Sequence, residues 1–134
     1  MRVVCGGPGC QGSLRELGSR ARAQPAPAHV VFDSLLDPHR SGARPWLELL
    51  PDEVAPSVLA EDRPGLLVWS TLWPRHPGYR IRFDLDPEAP GGGCLLRWTL
   101  LTPDPYEPDA GHIGHLRKRL NVLVNERLRL SYGQ

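Results

Sequence analysis

The chain has 134 residues, a formal net charge of +1 and 40% hydrophobic residues. That is enough for one domain with a sizeable core, and too little for two. The near-neutral charge makes no electrostatic case for nucleic acid, and no apolar run approaches the ~20 residues of a membrane-spanning helix. Fifteen prolines and 14 glycines require many turns. Three cysteines is an odd number, and Met1–Val4 is too short for a secretory apolar region. A reducing cytoplasm is therefore the expected home.

Residues 1–18 read as a disordered leader, and 19–134 as the domain. The leader's Cys5 and Cys10 are half of a metal-site spacing, with no second pair to complete it. Ser19 to Gln24 alternates as a modest edge strand, stopped by Pro25 and Pro27. His29 to Leu36 is a short helix with Ala28, Val31 and Leu35 on one stripe, ended by Asp37-Pro38. Pro45 to Leu50 is a second short helical turn between two prolines.

Strands follow. Val54 to Glu61 is weak, and Pro56 consigns it to an edge. Leu66 to Trp73 is an apolar run whose inward face cannot be assigned. Tyr79 to Leu85 alternates, with Tyr79, Ile81, Phe83 and Leu85 on one face and Arg80, Arg82 and Asp84 on the other. Gly91 to Gly93 turns the chain into Cys94 to Thr102. There Arg97 belongs in water, which directs Leu96, Trp98 and Leu100 inward. Asp109 caps a long terminal helix reaching about Ser131, with Gly133 placed to end it. At 3.6 residues per turn Ile113, Leu116, Leu120, Leu123, Val124 and Leu128 share a stripe, while Lys118, Asn125 and Arg129 fall opposite.

This order is α+β: a curved antiparallel sheet around a long C-terminal helix, with two short helices after the first strand. Such a sheet is wider than one helix can cover, so a ligand cavity belongs between them. The order, and the phrases at 25–33, 79–85 and 91–100 with Trp46 after a proline, resemble the START/polyketide-cyclase (SRPBCC) superfamily. The resemblance implies the helix-grip fold over residues 19–134. Its motifs are structural and identify no catalytic residue.

Arg127 projects onto the apolar stripe between Leu116 and Leu120. Buried arginine needs a partner, so it either snorkels at the helix end or anchors a ligand's carboxylate or carbonyl. Trp69, Trp73 and Trp98 are either core or the walls of a cavity for a flat ligand. With Tyr79, Phe83, Leu120 and Val124 they make the expected ligand-binding set. His112 and His115 have metal-compatible spacing but no third ligand, and Gly91 to Gly93 opens no helix, so neither metal nor cofactor is expected.

The expected function is binding of a small hydrophobic, aromatic or lipid-like molecule. A cyclase or aromatase, as the resemblance implies for some relatives, would draw on Arg127 and Tyr79, with Asp33 and Tyr106 behind them. An interaction module, like the superfamily's co-chaperones, would use the arginine-rich outer face of the terminal helix around Arg119 and Arg129. Ligand identity and oligomeric state stay open.

Overall fold

A computed structural model describes residues 14–39, 44–87, 93–104 and 109–132. The elements are β1 (Arg15–Gln24), α1 (Ala28–Leu36), β2 (Val58–Asp62), β3 (Leu66–Ser70), β4 (Arg80–Asp86), β5 (Cys94–Thr102) and α2 (Ala110–Leu120). A π-helical segment, Asn121–Leu128, continues α2. The five strands form one antiparallel sheet in the order β1-β5-β4-β3-β2. With its sheet, one short helix and long terminal helix, this is the helix-grip architecture.

Directly opposed residues share a face, so the register names the rows that look at the helix. One row runs Gly18, Leu100, Ile81, Trp69 and Val58. The next runs Arg20, Trp98, Phe83 and Leu67, and a third begins with Arg22, Leu96 and Leu85. Leu67 and Trp69 are thus the inward residues of β3, the face that periodicity left open. The helix covers these rows with Ile113, Leu116, Leu120, Leu123, Val124 and Leu128, all buried as the stripe requires. Each such side chain withdrawn from water contributes about 1.5–3 kcal/mol.

The helix-facing surface changes character at one edge. Over β3, β4 and β5 it is apolar, but on β1 it carries Arg20 and Arg22, both exposed. Guanidinium groups without partners resist burial, so the apolar helix face does not seal against β1.

Several boundaries depart from the sequence reading. The first strand begins at Arg15, not Ser19, and pairs Arg15 with Thr102 and Gly18 with Leu100 across a bulge after Glu16. The domain therefore includes residues assigned to the leader; residues 1–13, with Cys5 and Cys10, lie outside the described residues. The weak strand starts at Val58, beyond Pro56, and is an edge as expected. The third strand ends at Ser70, because Thr71 Oγ1 turns back to accept from the Trp73 amide at 3.0 Å.

Only one short helix follows β1 among the described residues. Residues 44–50 have no regular structure, since Pro45 and Pro51 leave too few residues for a stable turn, and Trp46 and Leu47 are instead drawn into the core. Gly93 permits the close approach of β1 and β5, for a Cβ there would lie 1.9 Å from the Gln24 carbonyl oxygen. Gly91, Gly92 and Gly133 lie outside the described residues.

Candidate functional site

The expected ligand-binding residues are brought together mostly as packed core. Trp69 stacks on Trp46 with ring centroids 6.0 Å apart and meets Phe83 edge-on at 4.7 Å. Its indole donates to the Leu35 carbonyl at 2.8 Å. Leu120 and Val124 are fully buried beneath the helix. Tyr79 is buried on the far side, stacked on His76 at 4.4 Å. Burial, reinforced by the Asp104 charge, pushes the Tyr79 phenol above its ordinary range.

Trp73 belongs to a different network. Its indole donates to Glu53 Oε2 at 3.1 Å, and the same carboxylate accepts from Arg119 Nε at 2.9 Å and Arg119 Nη2 at 2.7 Å. The Leu50 amide completes the set at 2.9 Å. Burial alone would raise the Glu53 carboxyl, but the hydrogen bonds from Arg119 and Leu50, the Arg119 charge and the Trp73 indole together hold it below the usual range. Glu53 was invisible in the sequence because an acidic residue in a proline-bounded loop reads as solvated.

This network overturns the outer-face assignment of Arg119, whose side chain is 13% exposed. Arg127 also departs from its expected place on the apolar stripe. It donates to the Trp46 carbonyl at 3.1 Å and pairs with the exposed Glu48 carboxylate. Arg119 and Arg127 thus strap the 44–57 loop to the terminal helix. Asp33, a weaker catalytic candidate, pairs with Arg63 at 2.7 Å, and Tyr106 lies outside the described residues. Arg127, Tyr79 and Asp33 therefore answer to three separate sets of neighbours.

The reason for Arg127's displacement is the π-helical segment. Each i→i+5 turn takes in one residue more than an α-turn, so positions along 121–128 lag the 3.6-residue count. Asn125, expected on the solvent side, is rotated inward and is only 3% exposed. Arg127 is rotated outward toward the loop.

Between β1 and this segment lies a cavity of about 390 Å³, lined by Arg20, Ala21, Arg22, Lys118, Asn121, Val122, Asn125 and Glu126. It sits where the helix-grip arrangement leads one to expect a pocket, yet none of the eight expected binding residues lines it. Its floor is an ordered amide pair. The Trp98 indole, which can only donate, gives a hydrogen bond to Asn121 Oδ1 at 2.9 Å and so fixes that atom as the carbonyl oxygen. Asn125 Nδ2 donates to the same oxygen at 3.1 Å. Asn125 Oδ1 is then buried and accepts no hydrogen bond from any described residue. Arg20, Arg22 and Lys118 line the cavity without an ion pair to any described residue, and Glu126 is the cavity's sole carboxylate.

Sequence signals for this site existed. Arg20 and Arg22 share the parity of Gln24, and Asn121 and Asn125 are an i, i+4 pair. What concealed it was the assumption of a straight α-helix.

His112 lies 2.8 Å from His76 through their Nε2 atoms, while His115 is exposed. The described residues hold no group of three or more metal-ligating side chains. Cys94 is fully buried, and burial with the nearby Asp86 charge pushes its thiol up to about 11, which makes it an unreactive core residue. No described helix is long and apolar enough to cross a membrane.

No family model and no curated protein matches the sequence. Solved structures do resemble it. CalU16 from Micromonospora echinospora is 17% identical, with a TM-score of 0.62 over 90% of this chain and 76% of that one. Ara h 8.0201 is 10% identical, with a TM-score of 0.55 over 91% of this chain and all of the other, 100%. The Aha1 protein of Colwellia psychrerythraea, solved as a dimer, is 13% identical, with a TM-score of 0.52 over 84% and 96% of the two chains. At such identities the likeness is one of fold. The chain has the helix-grip fold of the START/polyketide-cyclase superfamily.

Proposed function

We propose that this protein binds a small polar molecule in the cavity between β1 and the terminal helix. The observation that carries the reading is the lining itself: Arg20, Arg22 and Lys118 meet a single carboxylate, Glu126, around a 390 Å³ space, and none of the three cations pairs with a described residue. The volume is at the lower end of the range for small-molecule sites.

The polar lining favours this over the hydrophobic ligand expected from the aromatic residues. Trp69 and Phe83 spend their surfaces on one another and on Trp46. The cyclase reading would need polar groups converging on one space, and Arg127, Tyr79 and Asp33 face separate partners.

The test is amide chemical-shift mapping with a library of neutral, anionic and cationic small molecules. Hits are expected to move the signals of residues 20–22 and 118–126. Val122→Trp, which fills the cavity, is expected to abolish them. Hits that map elsewhere, or that survive Val122→Trp, refute the proposal.

A further inference from the structure

We propose that His76 and His112 form a two-imidazole site for a late first-row transition-metal ion, of which Zn²⁺ and Cu²⁺ are the fitting class. The site does not depend on the groove, whose lining includes neither residue.

The spacing of His112 and His115 suggests a pair on one helix, and the structure breaks that pair. His115 is exposed, while His112 turns to His76, 36 positions earlier in the segment between β3 and β4. Their Nε2 atoms are 2.8 Å apart, with ring centres 4.9 Å apart and planes tilted by 42°. The rings therefore meet through their nitrogens and do not stack. A neutral imidazole offers one N–H and one lone pair, so two nitrogens facing each other at this distance share a single proton. A metal ion replaces that proton and takes both lone pairs. Bonds of about 2.0–2.1 Å at a tetrahedral angle place two ligand nitrogens about 3.3 Å apart, so the rings need part by only about 0.5 Å.

Both rings are held from behind. The His76 amide donates to the Trp73 carbonyl at 2.8 Å, and the His76 carbonyl accepts from the Tyr79 amide at 3.1 Å. The His76 ring lies on the buried Tyr79 ring, 4.4 Å away and within 11° of parallel. His112 sits in the first turn of α2, where its amide donates to Asp109 Oδ2 at 2.9 Å. The fold has thus already met the ordering cost of bringing two ligands from two elements together. Both histidines are half-buried, so solvent can deliver an ion and water can complete its shell. The Asp104 charge acts on His76 in favour of a cation, and the Arg75 charge acts against it. Imidazole ligands suit Zn²⁺, Cu²⁺ and Ni²⁺, and not the oxygen-seeking Mg²⁺ or Ca²⁺. A bound ion would tie the segment 71–79 to the start of the terminal helix.

The experiment titrates Zn²⁺ into the full chain carrying Cys5→Ser and Cys10→Ser, which removes the leader's competing thiols. The imidazole nitrogen signals of all five histidines report binding. One equivalent of Zn²⁺ should shift His76 and His112 together and leave His29, His39 and His115 in place, and Mg²⁺ should shift none. Cu²⁺, followed by the quenching of tryptophan fluorescence, should bind more tightly than Zn²⁺. His76→Gln and His112→Gln should each weaken Zn²⁺ binding about ten-fold or more, and His115→Gln should leave it unchanged. Movement of His112 with His115 but without His76 would overturn the proposal. So would shifts scattered over all five histidines, which mark an adventitious ion only. No ring response at roughly millimolar Zn²⁺ would reduce the pair to an N–H···N hydrogen bond and also overturn it. The ring signals are read with all five histidines intact, so the result stands even if a Gln variant folds poorly.

Discussion

Removing the guanidinium from the buried pair should unfasten the loop from the helix. Glu53's side chain has 0% exposure, and two of its four hydrogen bonds come from Arg119. Arg119→Met keeps most of the packing but leaves a buried carboxylate with only the Leu50 amide and Trp73 indole. Breaking a fully buried pair costs about 3–5 kcal/mol. Arg119 retains 13% exposure, so water can reach the site and the low end, about 3 kcal/mol, applies. For a chain of this length that lowers Tm by about 10 °C. Glu53→Met leaves the arginine able to reach solvent and to keep its bond to the Glu48 carbonyl, so its cost should be smaller, about 1–2 kcal/mol. The double Met variant should return to within about 1 kcal/mol of the parent, since an apolar pair of similar size replaces a buried ion pair at little net cost. Urea denaturation of all four proteins at neutral pH gives the cycle. Independent, additive effects, or an Arg119→Met cost below about 1 kcal/mol, would refute the role given to this pair. The sign with pH follows. Glu53 is held below 4.5 in the folded state, so its contribution is present above 4.5 and is lost as pH falls through the folded value.

Three further outcomes are expected. Starting the chain at Ser19 removes the pairing of Arg15, Glu16 and Gly18 with β5. A chain starting at Leu14 should be more stable by roughly 1 kcal/mol or more, as measured by urea denaturation. Burial, then the charges of His112 and Arg75, hold His76 below 6.5 against the pull of Asp104. Its contribution should be intact above pH 6.5 and decline as pH falls toward its folded value, and His76→Gln should flatten that decline in a thermal-melt series. Arg127 pairs with a largely exposed Glu48 and does not line the cavity. Arg127→Met should therefore cost less than about 1 kcal/mol and leave groove binding unchanged, whereas weakened binding would return Arg127 to the site.

The strands and the helix stripe were legible because each rests on local periodicity. Cys94–Thr102 runs between a glycine run and a proline, and its limits match the structure. Asp109 caps the helix as its type suggests, accepting from the His112 amide at 2.9 Å. The site was not legible, for three physical reasons. Arg20 and Arg22 alternate with small residues in an edge strand, which gives their face no local signal, and only the register against Trp98 and Leu96 turns them inward. Glu53 is buried by a residue 66 positions later, a pairing no local pattern announces. Asn125 and Arg127 exchange their expected places because the helix changes pitch at Asn121, and that change carries no signature in residue type.

The most direct measurement is a high-resolution crystal structure grown with the tightest ligand from the groove titrations. The account predicts ligand density between β1 and the terminal helix, with a polar group of the ligand against Arg20 and Arg22. A ligand seated elsewhere, or a groove holding only water at saturating ligand, would contradict it.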